Sequence, residues 1–149
     1  MTSLIRTDAT NPDFGALVMQ LDHYLAIKDG DDHAYYAQFN KLDNIPNVIV
    51  AYVDGIPAGC GAIKKYSGHA AEVKRMFVSP DFRRKGLAKL ILSELEQWAN
   101  ELGYTICILE TGKKQTEAVI LYKTCGYTQI PNYGQYAIME DSICMEKLL

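Results

Sequence analysis

Apolar positions along the chain follow two different periods, and the change of period divides the sequence. Near the start, residues 3–6 (Ser3-Leu4-Ile5-Arg6) form a short run that predicts an edge strand. Asn11-Pro12-Asp13 then has the form of a helix start. An asparagine side chain caps free N–H groups there, and proline sits in the first turn, where its missing N–H costs nothing. Phe14, Leu17, Val18, Leu21, Tyr24 and Leu25 follow at helical spacing and carry the helix through Ile27. Asp29-Gly30-Asp31-Asp32 ends it, and Tyr35, Tyr36 and Phe39 predict a second short helix.

From Asn47 the pattern becomes that of strands. Val48-Ile49-Val50-Ala51-Tyr52-Val53 is largely β-branched, and Asp54-Gly55 is a two-residue hairpin signal. Strands are expected at 59–66 and 71–78, making an antiparallel meander. A helix begins near Leu87, with Leu87, Ile91, Leu95, Trp98 and Leu102 on one face, and Gly103 stops it. Residues 105–109 are apolar enough for a strand buried on both faces. A helix over 117–124, ended by Gly126, and strands at 127–130 and 142–148 complete the order β-α-α-β-β-β-α-β-α-β-β. The class is α+β, in one domain spanning residues 1–149.

Composition narrows the function. The chain has 149 residues, 48% hydrophobic and 22% charged, with a formal net charge of −3, which argues against a nucleic-acid-coating role. No apolar run approaches the roughly 18 residues that span a bilayer. The charged N-terminal stretch does not resemble a secretory leader, so a cytoplasmic location and no membrane partner are expected. Cys60, Cys107, Cys125 and Cys144 form no CxxC pair and sit in apolar surroundings. They are expected to be buried thiols, neither metal ligands nor nucleophiles. His23, His33 and His69 have no metal-ligand spacing. Gly59-Cys60-Gly61 lacks the third glycine of a dinucleotide fingerprint and predicts close strand packing or a bulge.

Chemistry concentrates in residues 73–88. A strand feeds a basic turn, and the turn feeds a helix. Six of the fifteen Lys and Arg residues lie between Lys74 and Lys89. A helix N-terminus offers unpaired N–H groups and partial positive charge, and Gly86 removes a side chain where an anion would approach. A pyrophosphate group suits such a place. A solvated basic turn before an ordinary helix has the same local pattern.

Arg83, Gly86 and Ala88 resemble motif A of the GNAT N-acetyltransferase superfamily: Gln or Arg, two residues, Gly, one residue, then Gly or Ala. Downstream, Leu109-Glu110-Thr111-Gly112, Gln115, Leu121-Tyr122 and Gly126-Tyr127 resemble its motif B, in the right order. The resemblance covers residues 47–149. It implies a mixed, mostly antiparallel sheet of about six or seven strands flanked by about four helices. It places acetyl-CoA, as co-substrate, in a V-shaped opening between the fourth and fifth strands. Main-chain groups of Met76, Phe77 and Val78 would pair with the pantetheine arm, the Val78 N–H facing the thioester oxygen. Backbone N–H groups of Arg84, Lys85, Gly86, Leu87, Ala88 and Lys89 would hold the pyrophosphate, beside Arg83. Gln115 falls where many members carry a cofactor-contacting Asn. No metal is implied.

Acetylating an amine requires an alkyl ammonium, of pKa about 10.4, to lose a proton, and a thiolate to gain one. By resemblance Tyr122 is the proton donor, and Glu72 or Glu110 the base. Period-two alternation would place Glu72, Lys74, Met76 and Val78 on one face. The acceptor implied is a small-molecule or peptide amine, and a homodimer is compatible with the family. Asp22, Asp29, Asp31, Asp32 and Asp43, with Tyr24, Tyr35 and Tyr36, suggest an acceptor wall that attracts a cation. The alternative is a CoA-binding sensor on the same fold, without turnover.

Overall fold

Strand β1 (Thr2–Thr7) lies at one edge of a seven-stranded sheet. Strands β2 (Asn47–Val53), β3 (Ile56–Lys65) and β4 (Ala70–Val78) follow it as the expected antiparallel meander. After β5 (Ile106–Gly112) come β7 (Ser142–Leu148) and, at the far edge, the short β6 (Thr128–Ile130), giving the order β1-β2-β3-β4-β5-β7-β6. Among the described residues the α-helices are α1 (Pro12–Asp29), α2 (Leu87–Glu101) and α3 (Thr116–Thr124). This computed structural model describes residues 1–30 and 45–149. The expected second short helix, with Tyr35, Tyr36 and Phe39, lies outside the described residues.

Local chemistry explains the elements. The Asn11 side chain accepts from the N–H groups of Asp13 and Phe14, capping α1 as its sequence suggests. Asp54 and Gly55 both adopt positive φ (50° and 81°), which the tight β2–β3 turn requires. On β2 the period of two sorts side chains cleanly. Val48 and Val50 face α1, packing with Phe14, Leu17 and Val18. Ile49 and Ala51 face the opposite layer, packing with Ile91, Leu92 and Leu95 of α2. The buried face of α2 differs in detail from its spacing: Leu92 and Ala99 are buried, whereas Leu102 caps the helix and is half exposed.

Two features of β4 shape the molecule. First, it pairs with β5 in parallel at three positions only, Ala70↔Ile106, Ala71↔Cys107 and Glu72↔Ile108. Beyond Glu72 the strands part, while β5 stays paired with β7 through Gly112 and β4 with β3 through Val78. Second, β4 carries a bulge. Cys60 pairs with Phe77 and Ala62 with Lys74, so Gly61 alone stands opposite Arg75 and Met76. Arg75 has φ +60°, a strained value for a residue with a side chain. The extra residue reverses the alternation. Glu72 and Lys74 share one face, but Met76 and Val78 join the α2 cluster on the other. The expectation that all four share a face therefore fails, because it assumes an unbroken ladder.

Gly59 and Gly61 let α2 approach the sheet. A Cβ on Gly61 would lie 2.6 Å from Met76 Sδ, 2.8 Å from Leu95 Cδ1 and 2.9 Å from Ile91 Cγ2. Gly61→Ala should therefore cost about 1–3 kcal/mol of stability through overpacking. Gly15 is the contrast: it is helical, and a Cβ there would have nothing within 4 Å. Gly15→Ala should add about 0.5–1 kcal/mol by reducing unfolded-chain entropy. Urea unfolding of both variants checks the pair; a neutral Gly61→Ala would mean the α2–sheet contact is looser than described.

Candidate active site

Two cavities open where β4 and β5 part. The larger, about 320 Å³, runs from Met76, Phe77 and Val78 past the turn after β4 to the first residues of α2 and the side of α3. The smaller, about 100 Å³, lies deeper between the diverging strands, lined by Glu72, Lys74, Glu110 and Tyr136 among others. Both are bounded by Leu21, Met76, Gln115 and Tyr122, so they meet at these four residues.

The larger cavity is built by the basic turn. Pro80–Phe82 form one turn of 3-10 helix. Arg83 then folds back: its Nε donates to the Val78 carbonyl at 2.9 Å, and its guanidinium lies 5.5 Å from the Tyr24 ring and 5.7 Å from the Phe77 ring. Arg83 thus ties the turn to both β4 and α1. Arg84 and Gly86 take positive φ (65° and 77°), the sharp path needed to enter α2. The first helical bond runs from the Leu90 N–H to the Gly86 carbonyl. The N–H groups of Leu87, Ala88 and Lys89 thus belong to the unpaired first turn, at the positive end of the helix dipole. Space is open where a Gly86 side chain would be. Arg84, Lys85 and Lys89 are exposed around the mouth. Unpaired donors, positive charge and an absent side chain form a place with the chemistry an anion requires. Gln115 lies at the N-cap of α3 and lines both cavities.

Tyr122 is the buried residue of α3 and stands at the junction. Burial first, then the charge of Glu110, push its phenol above the ordinary range, so it stays a neutral donor at physiological pH. Glu72 is buried at the apex of the split. It accepts from the Tyr133 hydroxyl at 2.6 Å, and Lys74 Nζ lies 3.5 Å away. Glu110 accepts from Ser142 Oγ at 2.8 Å. Tyr133, Tyr136 and Ser142 are site residues that sequence reasoning misses. A strand glutamate on a buried face requires a polar partner, and the tyrosines of 131–136 are the available signal.

Other candidates separate from this site. Burial pushes the Cys60 thiol up to about 12 and those of Cys107 and Cys144 to about 11; Cys125 is also raised. None is a thiolate at neutral pH, in keeping with structural roles. His23 and His69 are exposed, and no metal-binding cluster occurs among the described residues. His33 lies outside them. The acidic wall loses Asp22, which pairs with Arg75 at 3.0 Å. Tyr24 lines the larger cavity beneath Arg83 instead. Asp31, Asp32, Asp43, Tyr35, Tyr36 and the Asp29 side chain lie outside the described residues. Among the described residues, no helix is long and apolar enough to cross a membrane.

Comparison with known proteins agrees with the fold. The sequence model of the Acetyltransferase (GNAT) family matches residues 15–127. An "IAA acetyltransferase" of Azospirillum brasilense is 35% identical over 141 residues, covering 89% of this chain and 88% of that protein. A candidate acyl-CoA N-acyltransferase structure from Klebsiella pneumoniae superposes with a TM-score of 0.83 at 27% identity, covering 100% of this chain and 98% of the other. An acetyl-CoA-bound GNAT acetyltransferase from Elizabethkingia anophelis shares the fold at a TM-score of 0.70 and 17% identity, over 99% and 98% of the two chains. With the family's sequence pattern spanning the split strands, the basic turn and Tyr122, this chain belongs to the GNAT acetyltransferase family.

Proposed function

We propose that the protein transfers the acetyl group of acetyl-CoA to a primary amine by direct attack, with both substrates bound together. The observation that carries this reading is the meeting of two unlike cavities at Tyr122. One has the donors and positive charge for a nucleotide pyrophosphate. The other has two carboxylates that can meet an ammonium, Glu72 and Glu110, beside Lys74 and Arg75. A thioester lying across the junction has the amine on one side and the departing sulfur near a phenol.

In this reading Leu87, Ala88 and Lys89 receive the pyrophosphate through their N–H groups, with Arg84, Lys85 and Gly86 forming the turn around it. The pantetheine arm lies along Met76, Phe77 and Val78, on the β4 edge that β5 has left unpaired. The Val78 N–H donates to the thioester oxygen as negative charge develops on it. The ammonium gives its proton to Glu72 or Glu110, directly or through water. The neutral nitrogen attacks the carbonyl carbon, the C–S bond breaks, and the thiolate takes the Tyr122 proton. The product is an N-acetyl amide and free CoA. The carboxylates favour an acceptor whose reacting end is cationic, and the smaller cavity's volume admits an unbranched end.

Two measurements test the roles. Gly86→Ala and Gly86→Glu bear the same backbone strain at φ +77°. They differ in bulk and charge where the pyrophosphate would lie. Calorimetry should show Gly86→Glu losing CoA affinity by about tenfold or more relative to Gly86→Ala. Equal affinities would place the phosphates elsewhere. Tyr122→Phe keeps the ring and removes only the hydroxyl. It should lower kcat by about 10²-fold, the usual scale for a general acid, with CoA affinity unchanged. If kcat is unaltered while chemistry limits turnover, Tyr122 is a packing residue.

A further inference from the structure

Glu72 has two partners that pull it in different directions. The Tyr133 hydroxyl donates to Oε2 at 2.6 Å, while Lys74 Nζ stands 3.5 Å from Oε1. The second distance is well beyond the 2.7–2.9 Å typical of a closed ammonium–carboxylate hydrogen bond. This ion pair is therefore looser than a hydrogen-bonded one, although both side chains are largely covered and only two residues apart on one strand face. Tyr133 is itself held in place. The Tyr66 ring meets it edge-on at 5.0 Å and the Tyr136 ring at 5.8 Å. Burial, and then the charge of Glu72, keep its phenol protonated and hence a donor. Tyr133 lies in the β6–β7 connection, which also brings Tyr136 to the smaller cavity. Among the described residues, the charged and titratable groups around Glu72 include Lys74 and Arg75 on its own strand, Glu110 on β5, Tyr133 and Tyr136 from the connection, and Cys144 on β7.

We propose that Tyr133 is a positioning residue for the acceptor: its hydroxyl keeps the Glu72 carboxylate, in the lining of the smaller cavity, from closing a full hydrogen bond with Lys74, so that it can receive the acceptor's ammonium. This rests on the reading that Glu72 belongs to the acceptor site. Without the phenol, Lys74, already 3.5 Å from Oε1, is free to draw the carboxylate closer. Carboxylate and ammonium then close on each other, and an incoming cation meets a tighter, hydrogen-bonded pair. Lys74 is thus the reason Tyr133 is needed, which makes the proposal testable by removing both.

The test follows acetylation of n-butylamine, a small unbranched primary amine, by free-thiol release from acetyl-CoA. The set is the parent, Tyr133→Phe, Tyr133→Phe with Lys74→Met, and Glu72→Gln. Tyr133→Phe should lower kcat/KM for n-butylamine by about tenfold, the scale of a hydrogen bond to a charged group, with KM for acetyl-CoA unchanged. Adding Lys74→Met should restore most of that loss, which a merely structural role for Tyr133 would not allow. Tyr133→Phe without effect, or a loss that Lys74→Met leaves in place, overturns the proposal. If Glu72→Gln leaves n-butylamine kinetics as they were, or the parent does not acetylate n-butylamine at all, the underlying reading of the acceptor site fails and the proposal falls with it.

Discussion

The short parallel contact between β4 and β5 is the constraint on which the rest depends. Three residue pairs join the strands, and the join ends at Glu72. Past that point neither strand can follow the other. β5 is committed to β7 along its whole length, and β4 is committed to β3 and bent by the bulge at Arg75. A parting of this kind inside a sheet leaves backbone groups without partners, which protein interiors rarely tolerate. Here the gap is a cleft bounded by residues of α1, α2 and α3. Under the proposed function the amide-bearing arm of the co-substrate supplies the missing strand.

Charge is arranged around that opening with little waste. The chain is acidic overall, yet its cations gather at the turn into α2. Arg83 works as a brace, gripping the Val78 carbonyl and lying between two rings. Arg84, Lys85 and Lys89 remain toward solvent. On the other side of Tyr122 the two carboxylates are each held by a hydroxyl, Tyr133 on Glu72 and Ser142 on Glu110. The smaller cavity also takes in Lys74 and Arg75, so its two carboxylates lie among two cations.

Much of this is legible from the residues alone. The cap at Asn11, the Asp54-Gly55 turn, the α2 face and the Arg83–Ala88 turn are local effects, set by side chains near in sequence. What escapes is non-local. The bulge places Arg75, not a glycine, at positive φ, and Gly61 across the ladder shares the cause. Nothing in the β4 sequence marks it, so simple alternation puts Met76 and Val78 on the wrong face. Tyr133 and Ser142 are remote in sequence from the glutamates they hold, and no periodic pattern runs through the connection before β7. Asp22 reads as an open anion until its partner Arg75 arrives from another element.

The central claim is that the unpaired edge of β4 and the first turn of α2 together receive acetyl-CoA. Backbone hydrogen exchange, followed residue by residue with and without acetyl-CoA, tests this most directly. Added protection is expected at amides among Met76–Val78 and Leu87–Lys89, with little change in β1 and β2. Protection elsewhere, with these two stretches exchanging as fast as in the free protein, would contradict it.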